Sequence, residues 1–139
     1  MKSKNKMKKK LFRLTGMVAL LLAAVMLQSA KPDEVITKED GMTVVNTTTL
    51  SKDVIGYMDA TPLKIYIKKD KIEKVEALKN QETPKYFLRV RKQMLDKWNG
   101  MKVNDALKAN VDGVTGATMS SDAVKENIRL GLEYYKKHK

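Results

Sequence analysis

Residues 112–121, Asp-Gly-Val-Thr-Gly-Ala-Thr-Met-Ser-Ser, bring two glycines, four hydroxyls and one acid together without a single Lys or Arg, in a chain that holds 28 of those cations. Gly113 and Gly116 permit positive φ, and Ala117 keeps bulk away, so a ligand can approach the main chain closely. The segment opens a helix, with Ser121 as the expected N-cap. A helix start offers unpaired N–H groups and a partial positive charge, which suits a phosphate. Thr115, Thr118, Ser120 and Ser121 add hydroxyl donors. Local physics leaves two readings open: a phosphate cradle, or a plain helix-capping loop. Two familiar cradles are excluded. A nucleotide P-loop needs a second Gly five residues after the first, followed by Lys; Thr118 holds that position, and the next Lys is Lys125. The dinucleotide pattern G-x-G-x-x-G is absent as well.

Composition removes much other chemistry. The chain has no Cys, so disulfides, iron–sulfur clusters, c-type haem and thiol catalysis are out. Its one His, His138, is next to last in a Lys-rich tail. A transition-metal site has no ligand set, and a Ser-His or Cys-His hydrolase has no base. No catalytic acid–base pair is visible either.

The elements that must position the loop begin after an address label. Lys2, Lys4, Lys6, Lys8, Lys9, Lys10 and Arg13 precede the uncharged run Leu14–Leu27, and Gln28-Ser29-Ala30 follows. This is the layout of a secretory signal, and it implies export to the periplasmic or extracytoplasmic face of the cytoplasmic membrane. As a helix the run would be about 21 Å long, short for a ~30 Å hydrocarbon core. Gln28 is a poor residue before a cleavage point, so residues 1–30 read either as a cleaved signal peptide or as a retained membrane anchor. Without them the chain has 21 cations against 16 acids, a net charge of +5. That is ordinary, and it argues against a nucleic-acid partner while leaving weak attraction to a membrane surface.

Residues 31–41, with Pro32 and four acids, read as a polar linker to a domain over 42–139. Met42–Leu50 favours an extended strand through Val44-Val45 and the Thr47-Thr48-Thr49 run. Val54-Ile55-Gly56-Tyr57 is a short apolar piece between turn residues. Leu63, Ile65 and Ile67 alternate with Lys64, Tyr66 and Lys68, a strand with one buried face, and Ile72–Leu78 returns beyond a tight Lys69-Asp70-Lys71 turn. After Pro84 the period changes. Phe87, Val90, Met94 and Trp98 mark one amphipathic helix, capped by Asn99-Gly100, and Val103–Leu107 adds a short helical turn. A closing helix over about 121–137 carries the stripe Val124, Ile128 and Leu132 or Tyr135, with Lys136-Lys137 at its end. Strands, hairpin and helices in this order predict an α+β fold: an antiparallel or mixed sheet covered by helices, the C-terminal one included. Core packing is the expectation for Tyr57, Tyr86 and Trp98 ahead of stacking on a ligand, although Tyr57, beside Gly56, could do either.

Asp112-Gly113-Val114-Thr115-Gly116-Ala117-Thr118 resembles the D-x-x-[ST]-G-A-[ST] motif of the FMN-binding domain family, which includes the flavinylated subunits of the Rnf and sodium-pumping NADH:quinone oxidoreductase complexes. The resemblance extends through Val54-Ile55-Gly56-Tyr57, Thr61-Pro62-Leu63, the Lys69-Asp70-Lys71-Ile72 turn and Asn80-Gln81-Glu82-Thr83-Pro84 to Trp98-Asn99-Gly100 and Ser120–Val124, about residues 50–137. It implies that FMN is joined through its phosphate to the hydroxyl of Thr118. The bond would be made by an ApbE-type flavin transferase with FAD as donor. Asp112, Thr115, Gly116, Ala117, Ser120 and Ser121 would surround it, and Glu82 and Thr83, in the family's E-T-P segment, would make polar contact with ring or phosphate. The local alternative for Glu82 is simple helix-start electrostatics. The implied function is an exported electron-transfer flavoprotein working with membrane or extracytoplasmic redox partners. The alternatives are a flavin-bearing reductase subunit and a module that binds FMN without a covalent bond. Two departures stand out: the ion-pumping relatives are considerably longer, and Asp59-Ala60 lacks the glycine common there.

Overall fold

The computed structural model describes residues 34–82 and 84–139; the targeting segment expected over residues 1–30 lies outside them, as does Thr83. Four strands, β1 (Ile36–Glu39), β2 (Met42–Asn46), β3 (Leu63–Lys68) and β4 (Lys71–Ala77), form one antiparallel sheet in the order β1-β2-β3-β4. Helix α1 (Pro84–Gln93), a 3-10 turn (Leu95–Trp98), α2 (Val103–Lys108) and the closing helix α3 (Thr118–His138) complete the fold, which is α+β as expected. Among the described residues no helix is long and apolar enough to cross a membrane.

Both hairpins turn through two residues in left-handed conformation, Asp40 and Gly41 in the first, Lys69 and Asp70 in the second. That geometry matches the twist of the flanking strands. Asp-Gly adopts it at little cost, whereas Lys69-Asp70 is held from outside. Tyr135 Oη donates to Asp70 Oδ1 at 2.6 Å, and the N–H of Val103 donates to the Asp70 carbonyl at 2.9 Å. Between Tyr66 and Ile67 the β3–β4 register shifts, so that Tyr66 faces Lys74 and Ile67 faces Ile72, with Glu73 as the extra residue.

Alternation decides which face of the sheet is covered. Val45, Ile65, Ile67, Ile72 and Val75 point into a core that α1 fills with Phe87 and Val90, and α3 with Val124, Ile128, Leu132 and Tyr135. Met94, Leu95 and Trp98 close its edge. Each such side chain contributes on the order of 1.5–3 kcal/mol relative to exposure. Helix α3 lies close to the sheet because residue 131 is glycine: a Cβ there would stand 2.7 Å from Ile65 Cδ1 and 3.0 Å from Thr47 Cγ2. The other face carries charge, with Lys74 Nζ 4.3 Å from the centre of the Tyr66 ring and Tyr66 Oη donating to Glu76 at 3.0 Å.

Several expected boundaries move. The described part of the 31–41 linker contains β1 and its turn. The strand expected over Met42–Leu50 stops at Asn46, because the following hydroxyls satisfy the backbone differently. Asn46 Oδ1 accepts from the N–H and hydroxyl of Thr48, while Thr47 Oγ1 accepts from Leu63 N–H at 2.9 Å and donates to Asn127 Oδ1 at 2.5 Å. Val54–Tyr57 makes no strand, only an isolated bridge between Ile55 and Ala60. The helix marked by Phe87 to Trp98 is broken after Gln93 into α1 and the 3-10 turn. Finally, α3 begins at Thr118, three residues before the expected Ser121.

Asn127 is fully buried, and its amide also donates to the Ala123 carbonyl at 2.9 Å and to Thr61 Oγ1 at 3.4 Å. One α3 side chain thereby fixes the exit of β2 and the approach to β3. Asn127→Leu should cost about 2–3 kcal/mol in a urea melt, because it leaves the Thr47 and Thr61 hydroxyls short of partners. The Tyr135–Asp70 bond makes an alkaline prediction. Burial, reinforced by that bond, pushes the Tyr135 phenol up to about 12. The fold favours the neutral phenol, so its contribution is complete below the ordinary tyrosine value of ~10. It is lost as pH rises through about 12. Tyr135→Phe should melt earlier at neutral pH, and its deficit against the wild type should shrink above pH ~10.

Candidate functional site

The loop that ends at Thr118 is built by two local devices. Ala117 N–H donates to the Val114 carbonyl at 2.9 Å, closing a turn in which Gly116 takes φ +83. Ser121 lies beneath it: its Oγ accepts the Val114 N–H at 2.9 Å, and a Cβ on Gly113 would stand 3.0 Å from Ser121 Cβ. Ser121 is thus not the N-cap. It is a buried strut that holds the loop against the first turn of α3.

The N-cap position belongs to Ala117, which has no side chain able to accept a bond, and the first turn of α3 holds no acid. Ser121 N–H is the first to bond within the helix, to Ala117 O at 2.9 Å. The N–H groups of Thr118, Met119 and Ser120 have no partner among the described residues, as the helix geometry requires. Thr118 itself is exposed, and its hydroxyl is likewise unengaged among the described residues.

A cavity of about 360 Å³ opens over this helix start, lined by Tyr57, Tyr86, Gly116, Ala117, Thr118, Met119 and Ser120. That volume is within the range of small-molecule sites, roughly 300–1,000 Å³. Four of the expected residues, Gly116, Ala117, Thr118 and Ser120, are therefore brought together. Asp112 and Thr115 do not line it. Both are exposed, and their carbonyls accept from Lys97 Nζ at 3.4 Å and Arg89 Nη2 at 2.8 Å.

Tyr86, 41% exposed, overturns the expectation of core packing; Tyr57, left open between core and ligand, is 59% exposed, and Trp98 is buried as expected. The signal for Tyr86 was present, since it falls outside the stripe of Phe87, Val90, Met94 and Trp98. Arg89 was missed too. Its guanidinium bridges α1 to the loop through Thr115 O, and its Nη1 lies 3.4 Å from where a Cβ on Gly116 would be.

Glu82 is 5% exposed, and its two carboxylate oxygens accept the N–H groups of Tyr57 at 2.8 Å and Met58 at 2.9 Å. It does not line the cavity but stands behind its wall and holds Tyr57 in place, a role that sequence reasoning did not foresee. Asn80 Oδ1 accepts the Glu82 N–H at 3.0 Å and fixes the approach. Gly56 is required by this clamp, because any Cβ there would fall 1.9 Å from Glu82 Oε1. Hydrogen bonds to a charged acceptor contribute roughly 1.5–3 kcal/mol each. Glu82→Gln, which turns one acceptor into a donor, should therefore cost about 2 kcal/mol and raise amide exchange first at Tyr57 and Met58. Gly56→Ala should reproduce that exchange pattern.

The comparison with known families agrees with the loop and the cavity. Residues 56–133, more than half of the chain, match the model of the FMN-binding domain. No curated protein and no solved structure matches the chain. The cavity fits such a group: it combines aromatic walls, a hydroxyl and a row of N–H donors that have no partner among the described residues and suit a phosphate. The chain belongs to the FMN-binding domain family, and the cofactor of this flavoprotein is FMN.

Proposed function

We propose that this protein is an exported electron carrier whose FMN is attached through a phosphoester to Thr118. The observation that carries the reading is the position of Thr118: an exposed hydroxyl without a partner among the described residues, on the first residue of α3, at the wall of the cavity. In the attachment step, Thr118 Oγ attacks the FMN-side phosphorus of FAD. The bond from that phosphorus to the bridging oxygen breaks, AMP leaves, and the hydroxyl proton passes to a base of the ApbE-type transferase. This chain needs no histidine for that step, because metal and base belong to the transferase.

The N–H groups of Thr118, Met119 and Ser120 are placed to hold the phosphate, with the positive end of α3 behind them. Tyr57 and Tyr86 bring aromatic surface that can exclude water from a flat ring, and Glu82 keeps Tyr57 in register. Bound FMN supplies the redox chemistry. Export is supported by the charged and apolar pattern of residues 1–30, and a covalent tether suits a compartment where a free cofactor would be lost. The partners on this reading are the transferase and redox proteins of the membrane or the extracytoplasmic space.

The protein co-expressed with an ApbE-type transferase should give a fluorescent band on a denaturing gel, and Thr118→Ala should give none. A dark wild-type band, with the transferase active on a control substrate, would leave a non-covalent FMN module.

A further inference from the structure

The exposed large hydrophobic side chains among the described residues are Ile55, Tyr57, Met58, Tyr86, Leu88 and Met119. All six lie on just three segments, the 55–58 loop, α1 and the start of α3, and these are the segments that line the Thr118 cavity. Tyr57, Tyr86 and Met119 line the cavity itself, Ile55 and Met58 flank Tyr57 in its loop, and Leu88 lies on α1 beside Arg91 in a neighbouring hollow. Singly exposed hydrophobics are ordinary, but their gathering on three segments that meet at one cavity is not. Helix α1 adds Lys85, Arg89, Arg91 and Lys92, all exposed, and contains no acid. None of these four cations has an acidic partner among the described residues, whereas Arg129 on α3 is held by Glu126 and Glu133. A second cluster of lysines surrounds Asp70 at the far end of α3, but no exposed large hydrophobic accompanies it.

We infer that the rim of the Thr118 cavity together with the outer face of α1 is the docking face for an electron-transfer protein whose own contact surface carries an acidic rim. The inference rests on the flavin occupying the cavity. An apolar centre around the cofactor with charge of one sign at its flank suits a brief encounter: the charges steer approach, and the small apolar patch limits residence. The four cations, none with an acidic partner among the described residues, are free to meet carboxylates, and only Arg89 is also engaged in holding the loop.

The test uses one haem protein in two charge states: native cytochrome c, which is basic, and cytochrome c succinylated on its lysines, which is acidic. The flavin-loaded protein is reduced without excess reductant and mixed with either ferric form at low and high salt. Each encounter moves one electron and reduces one ferric haem, so two haems are reduced per flavin reoxidised, and the flavin protons pass to water. The succinylated form should react faster at low salt than at high salt, and the native form should show the opposite dependence. Lys85→Glu/Arg91→Glu/Lys92→Glu should slow the succinylated form about tenfold at low salt and leave flavin content unchanged. Lys71→Glu/Lys136→Glu/Lys137→Glu, with the same change of net charge, should have little effect.

Equal loss in both triple variants would reduce the effect to net charge and overturn the inference. So would loss of binding to phosphatidylglycerol vesicles in the α1 variant with unchanged cytochrome rates, which would assign the face to lipid. A flavin released by denaturant would count against the Thr118 bond alone, because the same kinetics can be run on protein loaded with FMN non-covalently.

Discussion

Helix α3 depends on being locked to the sheet at one depth and one rotation, and the buried amide of Asn127 together with Gly131 sets both. Gly131 lets the helix backbone approach β2 and β3 to a distance no other residue permits without displacing Ile65 or Thr47. Asn127 then reads the approach chemically, since its amide is satisfied only when Thr47 and Thr61 are in place. Apolar burial alone is non-directional and would tolerate a rotated helix. The polar contact does not. Because Thr118 is the first residue of the same helix, the rotation that suits Asn127 also decides where that hydroxyl points.

The cavity wall is maintained by a similar economy of means. Glu82 reaches across 25 residues of sequence to bind two successive backbone amides, so the 55–58 segment, which lies outside every strand and helix, is held in place. Arg89 does the equivalent for the 112–118 loop from the other side, through one carbonyl. Both loops are thus fastened by charged side chains to neutral backbone groups, and neither fastening consumes a side chain that lines the cavity.

What could be read from the sequence was periodic or local. The β3–β4 hairpin and both apolar helix stripes follow from spacing, and the run from Gly113 to Ser121 already announced a ligand-friendly helix start. Strand β1 was readable too, in Asp40-Gly41 between Ile36 and Val44, but the acidic composition of 31–41 concealed it. Misreadings occurred where a side chain bonds to a distant backbone group. Thr47 ends a strand its residue type would prolong, Ser121 supports a loop instead of capping a helix, and the function of Glu82 depends on Tyr57 and Met58. No pattern within a short window encodes such partners. Aromatic character alone places Tyr86 in the core, although it falls outside the stripe of Phe87, Val90, Met94 and Trp98. For Tyr57, open to either reading, only the folded chain reveals that the cavity leaves it uncovered.

The bare start of α3 has one more consequence. A helix of 21 residues with Ala117 at its N-cap and no acid in its first turn is electrostatically unfinished. A phosphodiester on Thr118 would place a permanent anion where the helix lacks one, worth typically 0.3–1 kcal/mol and up to ~2 kcal/mol when partly buried. The cofactor would then serve as the missing cap. Unloaded copies would fray at this end and offer proteases an opening that loaded copies close, so that, on the proposed reading of an exported carrier, proteolysis would sort the population in favour of chains that carry their flavin.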